Sequence, residues 1–315
     1  MTKSKIQNLR QRRIRLWRTK SKILRGKRIG VVGAGNMGQA LIRGLLQAGV
    51  QSGRVVVVEA DVSRRQRVRR ACRVQASSLD EVATRCDVII IAVKPQDLPP
   101  LLDQLACSLR MRGPARPGSR GAGGRPPLVI SIAAGVRLAT LEGRLGRARP
   151  GERSSRWAGV PVVRVMPNLP AKVGCGMSAM AAGRAVRAPH LALAGAIFGC
   201  VGEVVELPER LFDAVTAISG SGPAYFFLVF KALRDAGARA GLPRRIAQQL
   251  VLRTAAGSVA LAEASRQTLE DLIAQVASKR GTTEAALQVF DRRRLAEIIE
   301  AGVAAAIRRS RALSK

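Results

Sequence analysis

The chain has 315 residues, with 54 Lys or Arg against 21 Asp or Glu, one histidine and only 3% aromatic residues. Its length and its 47% apolar content suffice for two domains with buried cores, and no apolar run approaches the about 20 residues of a spanning helix, so no membrane segment is expected. A formal charge of +33 attracts polyanions whatever the fold, but without interleaved aromatics the basic stretches do not form a stacking surface for nucleic acid.

Met1–Arg28 carries twelve Lys or Arg and no acid. A nucleic-acid arm, a membrane-surface helix and an organellar targeting peptide share that composition. The segment lacks the uninterrupted apolar core of a secretory signal, and residues 1–27 are read as a solvated basic tail. From Arg28 the pattern becomes strand, glycine turn, helix: Arg28–Val32, then Gly33-Ala-Gly-Asn-Met-Gly38, then Gln39–Ala48 with Gly49 placed to end the helix.

Further strands are predicted at Val55–Val58, Val88–Val93, Leu128–Ala133 and Val162–Met166, spaced by helix-length intervals. Continuous apolar strands alternating with helices indicate a parallel sheet covered on both faces. Two Arg/Gly/Pro-rich stretches, Met111–Pro127 and Gly143–Gly159, are read as surface loops. After a strand-like Glu203–Leu207 the chain turns helical to its end, with apolar positions three and four apart in Ala224–Ala240, Ile246–Ala264 and Leu295–Ala306. The fold class is α/β, a Rossmann-type dinucleotide-binding domain over 28–208 followed by an all-helical domain over 209–315.

The spacing Gly33-x-Gly35-x-x-Gly38 directly follows a strand and opens a helix, which is the context of the dinucleotide fingerprint. Gly33 permits the tight turn, Gly35 lets the backbone approach a pyrophosphate, and Gly38 allows close helix packing, so the helix N-terminus faces the negative charge. Glu59, ending the second strand, is placed to accept hydrogen bonds from adenosine ribose hydroxyls, which favours NAD(H). Arg64 and Arg65 just beyond it are placed to hold a 2′-phosphate, which favours NADP(H). Residues alone leave that choice open.

The five cysteines are scattered without a CxxC pair or a nearby histidine, which suits a reducing, cytoplasmic compartment and gives no metal site. His190 follows a proline at an expected helix start and is read as a surface or capping residue. With no histidine–carboxylate dyad, protonation of a carbonyl oxygen is disfavoured. An imine relaxes that demand, because its nitrogen is basic enough to be protonated near neutral pH.

The fingerprint Gly33–Gly38, the strand end Ala92-Val-Lys-Pro95, the run Ser131–Gly135, the segment Arg164–Pro170 and above all Ala217-Ile-Ser-Gly-Ser-Gly-Pro-Ala-Tyr225 together resemble pyrroline-5-carboxylate reductase, in order from about Arg28 to Arg311. The resemblance implies NAD(P)H-dependent reduction of 1-pyrroline-5-carboxylate to L-proline, the last step of proline biosynthesis. It implies cofactor contacts at Asn36, Met37, Ala92, Val93, Lys94, Pro95 and Asn168. It also implies that the helical domain pairs with a second copy, as a homodimer or higher homo-oligomer.

By the same resemblance, Ser278-Lys-Arg-Gly-Thr-Thr283 is the substrate loop. Ser278, Gly281 and Thr282 would bind the carboxylate through backbone amides, and Thr283 would hydrogen-bond the imine nitrogen as the catalytic residue. Lys279 and Arg280 replace the family's Pro-Gly there, and Leu79 and Leu169 stand where threonine or asparagine is frequent. The residues of 278–283 taken alone also read as a helix cap formed by Thr282 or Thr283. Two other functions stay open at this point: a related imine or β-hydroxyacid reductase, and a catalytically impaired basic protein binding nucleic acid through non-specific charge.

Overall fold

The structure is a computed structural model that describes residues 22–111, 125–146 and 159–314; the basic tail through residue 21 and most of the two Arg/Gly/Pro-rich stretches lie outside these residues. The chain divides into two compact units. The first comprises the described residues within Met1–Gly220 and Arg309–Lys315, and the second is Ser221–Arg308.

The first unit is built on one eight-stranded sheet. Strands β1 (Ile29–Val32), β2 (Val55–Val58), β3 (Gln75–Ala76), β4 (Val88–Ile91), β5 (Leu128–Ser131), β6 (Val162–Met166), β7 (Gly176–Ala182) and β8 (Gly202–Glu206) lie in the order β3-β2-β1-β4-β5-β6-β7-β8. Helices α1 (Asn36–Gln47), α2 (Val62–Cys72), α3 (Leu79–Arg85), α4 (Leu98–Arg110), α5 (Leu138–Gly146), α6 (Ala188–Phe198) and the single turn α7 (Phe212–Val215) complete it. Every residue of β1, β4 and β5 is buried. Because successive side chains alternate across a strand, Ile90 enters one apolar layer with Leu41, Leu45 and Phe198, while Ile89 and Ile91 enter the other with Leu102, Leu141 and Phe212.

The sheet is parallel except at one pair of neighbours. Strands β1–β6 are mutually parallel, but β7 runs antiparallel to β6, and β8 is parallel to β7. Connection length explains the reversal. Residues 167–175 between β6 and β7 hold only a short turn, Leu169–Val173, closed by Gly174 at φ 75°. That is shorter than a parallel crossover requires, whereas the α6 connection between β7 and β8 meets the requirement.

Packing places the segment after Pro208 with the sheet. Arg164 of β6, 4% exposed, pairs through Nη1 with Glu209 Oε1 at 2.9 Å and lies 4.8 Å above the Phe212 ring. The same Glu209 oxygen accepts the Leu138 N–H at 2.7 Å, so one carboxylate joins β6, the start of α5 and the residues before α7. The chain returns to this unit at its end, where the Ser310 hydroxyl donates to Asp213 Oδ1 at 2.6 Å.

The second unit consists of α8 (Gly222–Arg239), α9 (Arg244–Ala264), α10 (Leu269–Val276), α11 (Thr282–Arg292) and most of α12 (Leu295–Leu313). Arg234 holds the Asp235 carboxyl below its ordinary pKa through a hydrogen bond, with Lys231 adding to it; Arg244 of α9 joins the pair at 3.4 Å. Ala247 is the one apolar side chain of this unit that is buried, whereas Phe226, Leu228 and Ile298 are each more than 60% exposed. No helix among the described residues is long and apolar enough to cross a membrane.

Removing the Glu209 carboxylate strands a buried guanidinium and an N–H. Glu209→Ala is expected to lower stability by about 3 kcal/mol, read as a fall in the urea midpoint of the full chain. An unchanged midpoint would show that the pair does not hold these elements together.

Candidate active site

The three fingerprint glycines occupy different environments. Gly33 has φ 97°, and a Cβ there would fall 2.7 Å from the Ala92 carbonyl oxygen at the end of β4. A Cβ on Gly38 would run into the Gly33 carbonyl oxygen. These two positions are glycine because the first turn of α1 lies against β1 and β4. Gly35 has no atom within 4 Å of its ideal Cβ position, so the protein's own packing does not require a glycine there. Its face is open, at the N-cap of a helix whose first N–H groups need acceptors. A phosphate-bearing dinucleotide fits that combination, since a side chain at Gly35 would occupy the space a pyrophosphate needs.

Glu59 is turned inward. It is 9% exposed, its Oε2 accepts the Ala34 N–H at 2.7 Å, and its Oε1 accepts the Asp61 N–H at 3.0 Å. Arg64 Nη1 lies 3.3 Å from Oε2. The carboxylate thus braces the glycine turn against the end of β2. Arg65 donates from Nη1 to the Glu59 carbonyl at 3.0 Å and so braces the same corner. Asp61 caps α2 by accepting the Arg64 N–H at 2.7 Å. That N–H keeps its carboxyl below the usual range, helped by the Arg64 and Arg67 charges.

Beside the turn runs an open groove of about 960 Å³ lined by Gly35, Asn36, Gln39, Arg43, Arg64, Arg67, Arg70, Ala71 and Lys94. It brings together four expected cofactor residues, Gly35, Asn36, Arg64 and Lys94. Met37 and Ala92 instead pack on one apolar layer and Val93 on the other; Pro95 opens the turn after β4. Arg43, Arg67 and Arg70 were not anticipated. The one trace of them in the sequence is the three-residue spacing of Arg64, Arg67 and Arg70, which stacks them along one side of α2.

At the end of β6, Asn168 accepts the Met177 N–H at 2.9 Å and donates from Nδ2 to the Ser219 hydroxyl at 3.2 Å. Ser219 belongs to a π-type turn, Thr216–Gly220, within the segment that most distinguishes this sequence. Leu79, the first residue of α3, is buried, and Leu169 is exposed. His190 caps α6, its Nδ1 accepting the Arg187 N–H at 3.1 Å; burial, aided by the Arg187 charge, holds its pKa below the ordinary value.

In the second unit, Ser278–Thr283 forms a tight turn into α11. Gly281 is the N-cap and no side chain caps the helix, so neither Thr282 nor Thr283 serves that purpose. Arg280 takes the left-handed conformation, φ 60°, which glycine adopts freely, and its N–H donates to the Glu284 carboxylate. Two of the amides expected to face an anion, those of Ser278 and Gly281, are engaged within the turn. The Gly281 N–H donates to the Ser278 carbonyl at 2.9 Å and the Ser278 N–H to the Val276 carbonyl at 3.2 Å. The Thr282 and Thr283 N–H groups make no protein hydrogen bond among the described residues. The Ser278 hydroxyl lies against Gly281, where any Cβ would meet it.

Comparison with known proteins agrees with this geometry. Residues 209–313 match the family model for pyrroline-5-carboxylate reductase dimerisation, and residues 28–112 match that for coenzyme F420-dependent NADP oxidoreductases. The pyrroline-5-carboxylate reductase of Synechocystis sp. is 38% identical over 289 residues, covering 91% of this chain and 98% of its own. This chain belongs to the pyrroline-5-carboxylate reductase family. The family's protein from Pseudomonas aeruginosa is 36% identical, with 91% and 97% covered. Among solved structures, that of the Coxiella burnetii reductase superposes with a TM-score of 0.78 at 30% identity, covering 92% of this chain and 99% of its own. The Plasmodium falciparum pyrroline carboxylate reductase with NADP bound gives 0.75 at 28%, covering 92% and 99%. The Rossmann-type unit, the helical dimerisation region and an NAD(P)-dependent oxidoreductase character follow from the family.

The glycine environments separate binding from folding. Gly35→Ala is expected to keep the melting temperature within about 2 °C while weakening NADP+ binding at least about tenfold, whereas Gly38→Ala should lose about 2 kcal/mol of stability or more. Calorimetric titration and thermal unfolding read the two effects, and equal behaviour of the two variants would refute the distinction.

Proposed function

We propose that this chain reduces the C=N bond of 1-pyrroline-5-carboxylate to give L-proline, the last step of proline biosynthesis, with NADPH or NADH as the donor. The observation that carries the proposal is the glycine-capped start of α11. Among the described residues it leaves the Thr283 hydroxyl and two successive N–H groups without protein partners, and the chain's single histidine, His190, is taken up in capping α6.

The first unit is assigned to the dinucleotide through Gly33, Gly35, Asn36 and Gly38, with Met37, Ala92, Val93, Lys94, Pro95 and Asn168 shaping the nicotinamide end. Glu59 and Arg64 belong to the adenosine end. The reduced nicotinamide, when bound, supplies hydride to the imine carbon. The protein's tasks are positional. The Thr282 and Thr283 N–H groups and the Ser278 hydroxyl suit a carboxylate, and the helix dipole of α11 adds to their attraction. The Thr283 hydroxyl accepts from the protonated imine nitrogen. As hydride arrives at carbon, the C=N π pair becomes the nitrogen lone pair and the N–H stays in place, so no side chain needs to deliver a proton during the step.

The uncovered helical faces of the second unit suit a homodimer or a larger homo-oligomer, and five cysteines that form no disulfide suit the cytoplasm. The surplus of cations attracts nucleic acid only as a non-specific field.

The purified 315-residue protein should oxidise NADPH in the presence of pyrroline-5-carboxylate. Thr283→Ala should lower kcat roughly a hundredfold at unchanged NADP+ affinity, while His190→Gln leaves kcat unchanged. No turnover with either nicotinamide would overturn the assignment, and turnover of other cyclic imines alone would redirect it to a related imine reductase.

A further inference from the structure

We infer that this reductase prefers NADPH to NADH, with the 2′-phosphate held by Arg64 and Arg67 of α2 and by Arg43 of α1. The inference rests on the assignment of the first unit to a nicotinamide dinucleotide and deepens it.

Selection for NADH at this corner requires an acid that offers free lone pairs to the ribose hydroxyls. Glu59 does not line the groove. Its two oxygens accept the Ala34 and Asp61 N–H groups at 2.7 and 3.0 Å, and Arg64 adds charge compensation at 3.3 Å. A carboxylate turned inward onto two N–H groups and a guanidinium is not placed to chelate a ribose in the groove.

Recognition of a phosphate requires the opposite: several cationic donors that share one opening with no acid lining it. The groove that starts at Gly35 is lined by Arg43, Arg64, Arg67, Arg70 and Lys94 and by no acid. Arg64 is pinned on one side by Glu59 and by Asp61, the latter at 3.7 Å, which fixes the position of its guanidinium. Arg43, Arg67, Arg70 and Lys94 form no ion pair among the described residues, and the one partner of the Arg43 guanidinium is the neutral Gln39 at 3.3 Å. Cations in excess of acids in one groove repel each other, and a dianion among them removes that repulsion while accepting several N–H donors at once.

Two neighbouring candidates are set aside by the geometry. The Arg65 guanidinium is committed to the Glu59 carbonyl. The N-terminus of α2 is occupied by its own cap, Asp61. Side chains, and not a helix end, are therefore the phosphate ligands.

The test uses the full chain, calorimetric titration with NADP+ and with NAD+, and kcat/KM with NADPH and NADH. The wild type should bind NADP+ at least about tenfold more tightly than NAD+. Arg64→Ala and Arg67→Ala should each weaken NADP+ about tenfold and leave NAD+ within about twofold, and the double variant should bind both alike. Arg65→Ala should preserve the preference. Arg67 is exposed and makes no hydrogen bond or ion pair in the protein among the described residues, so its variant folds even if that of Arg64 does not. Equal binding of the two dinucleotides, tighter NAD+ binding, or equal loss of both in the variants would overturn the inference. Selective binding without turnover would leave it standing and overturn only the proposed reaction; binding of neither dinucleotide would overturn the cofactor assignment and this inference together.

Discussion

The first turn of α1 sits so close to the end of β1 that the Gly33 carbonyl leaves no room for a Cβ at residue 38. The end of β4 leaves equally little room at residue 33. Such packing is available only to glycine, and it directs the N–H groups of α1 into the opening beside Gly35. Glu59 completes the arrangement from β2 by taking the Ala34 N–H, so the turn is held from three strands. Every assignment in the first unit depends on this corner: the cofactor's phosphates, the Arg64 side chain that Glu59 anchors, and the groove beyond it.

A chain with one histidine, committed to capping α6, has few ways to catalyse proton transfer. The substrate proposed here carries its own proton on nitrogen, which moves the demand from chemistry to positioning. The turn Ser278–Thr283 is the segment proposed to meet that demand. Its own N–H groups at Ser278 and Gly281 are consumed in closing the turn, and the next two, at Thr282 and Thr283, are left as donors. Arg280 in a left-handed conformation shows that a residue with a Cβ can complete such a turn, with Glu284 holding its N–H.

The helical unit contains hardly any buried apolar side chains of its own, and the exposed rows on α8, α9 and α12 are the kind of surface that a second copy covers. The match to a dimerisation region agrees with that chemistry. The excess of positive charge has two separable parts. The cations of the tail and of most of the two Arg/Gly/Pro-rich stretches lie outside the described residues, whereas those of α1 and α2 line one groove.

Local features were legible in the amino-acid order. The glycine turn, the strands around Ile29, Val55, Ile89, Val129 and Val163, and the periodic helices after Pro208 declare themselves through backbone restrictions and burial patterns set by near neighbours. Strand β7, Gly176-Met-Ser-Ala-Met-Ala-Ala182, was illegible because small residues and methionines carry no β signature, and its reversal depends on the short turn before it. The segment 209–220 joined the sheet unit through a buried Arg164–Glu209 pair separated by 45 residues. Only the tertiary structure turned Glu59 inward, engaged Arg65 on a carbonyl, and set Arg43 beside Arg64 and Arg67. A single exposed arginine on a helix looks like ordinary surface charge, and convergence between two helices is a long-range fact. The sequence by itself therefore determined that a dinucleotide turn and a helical partner domain exist, because short-range sterics and periodicity encode them. The fold decided which charges meet beside that turn, because their meeting requires the sheet that brings α1 and α2 together.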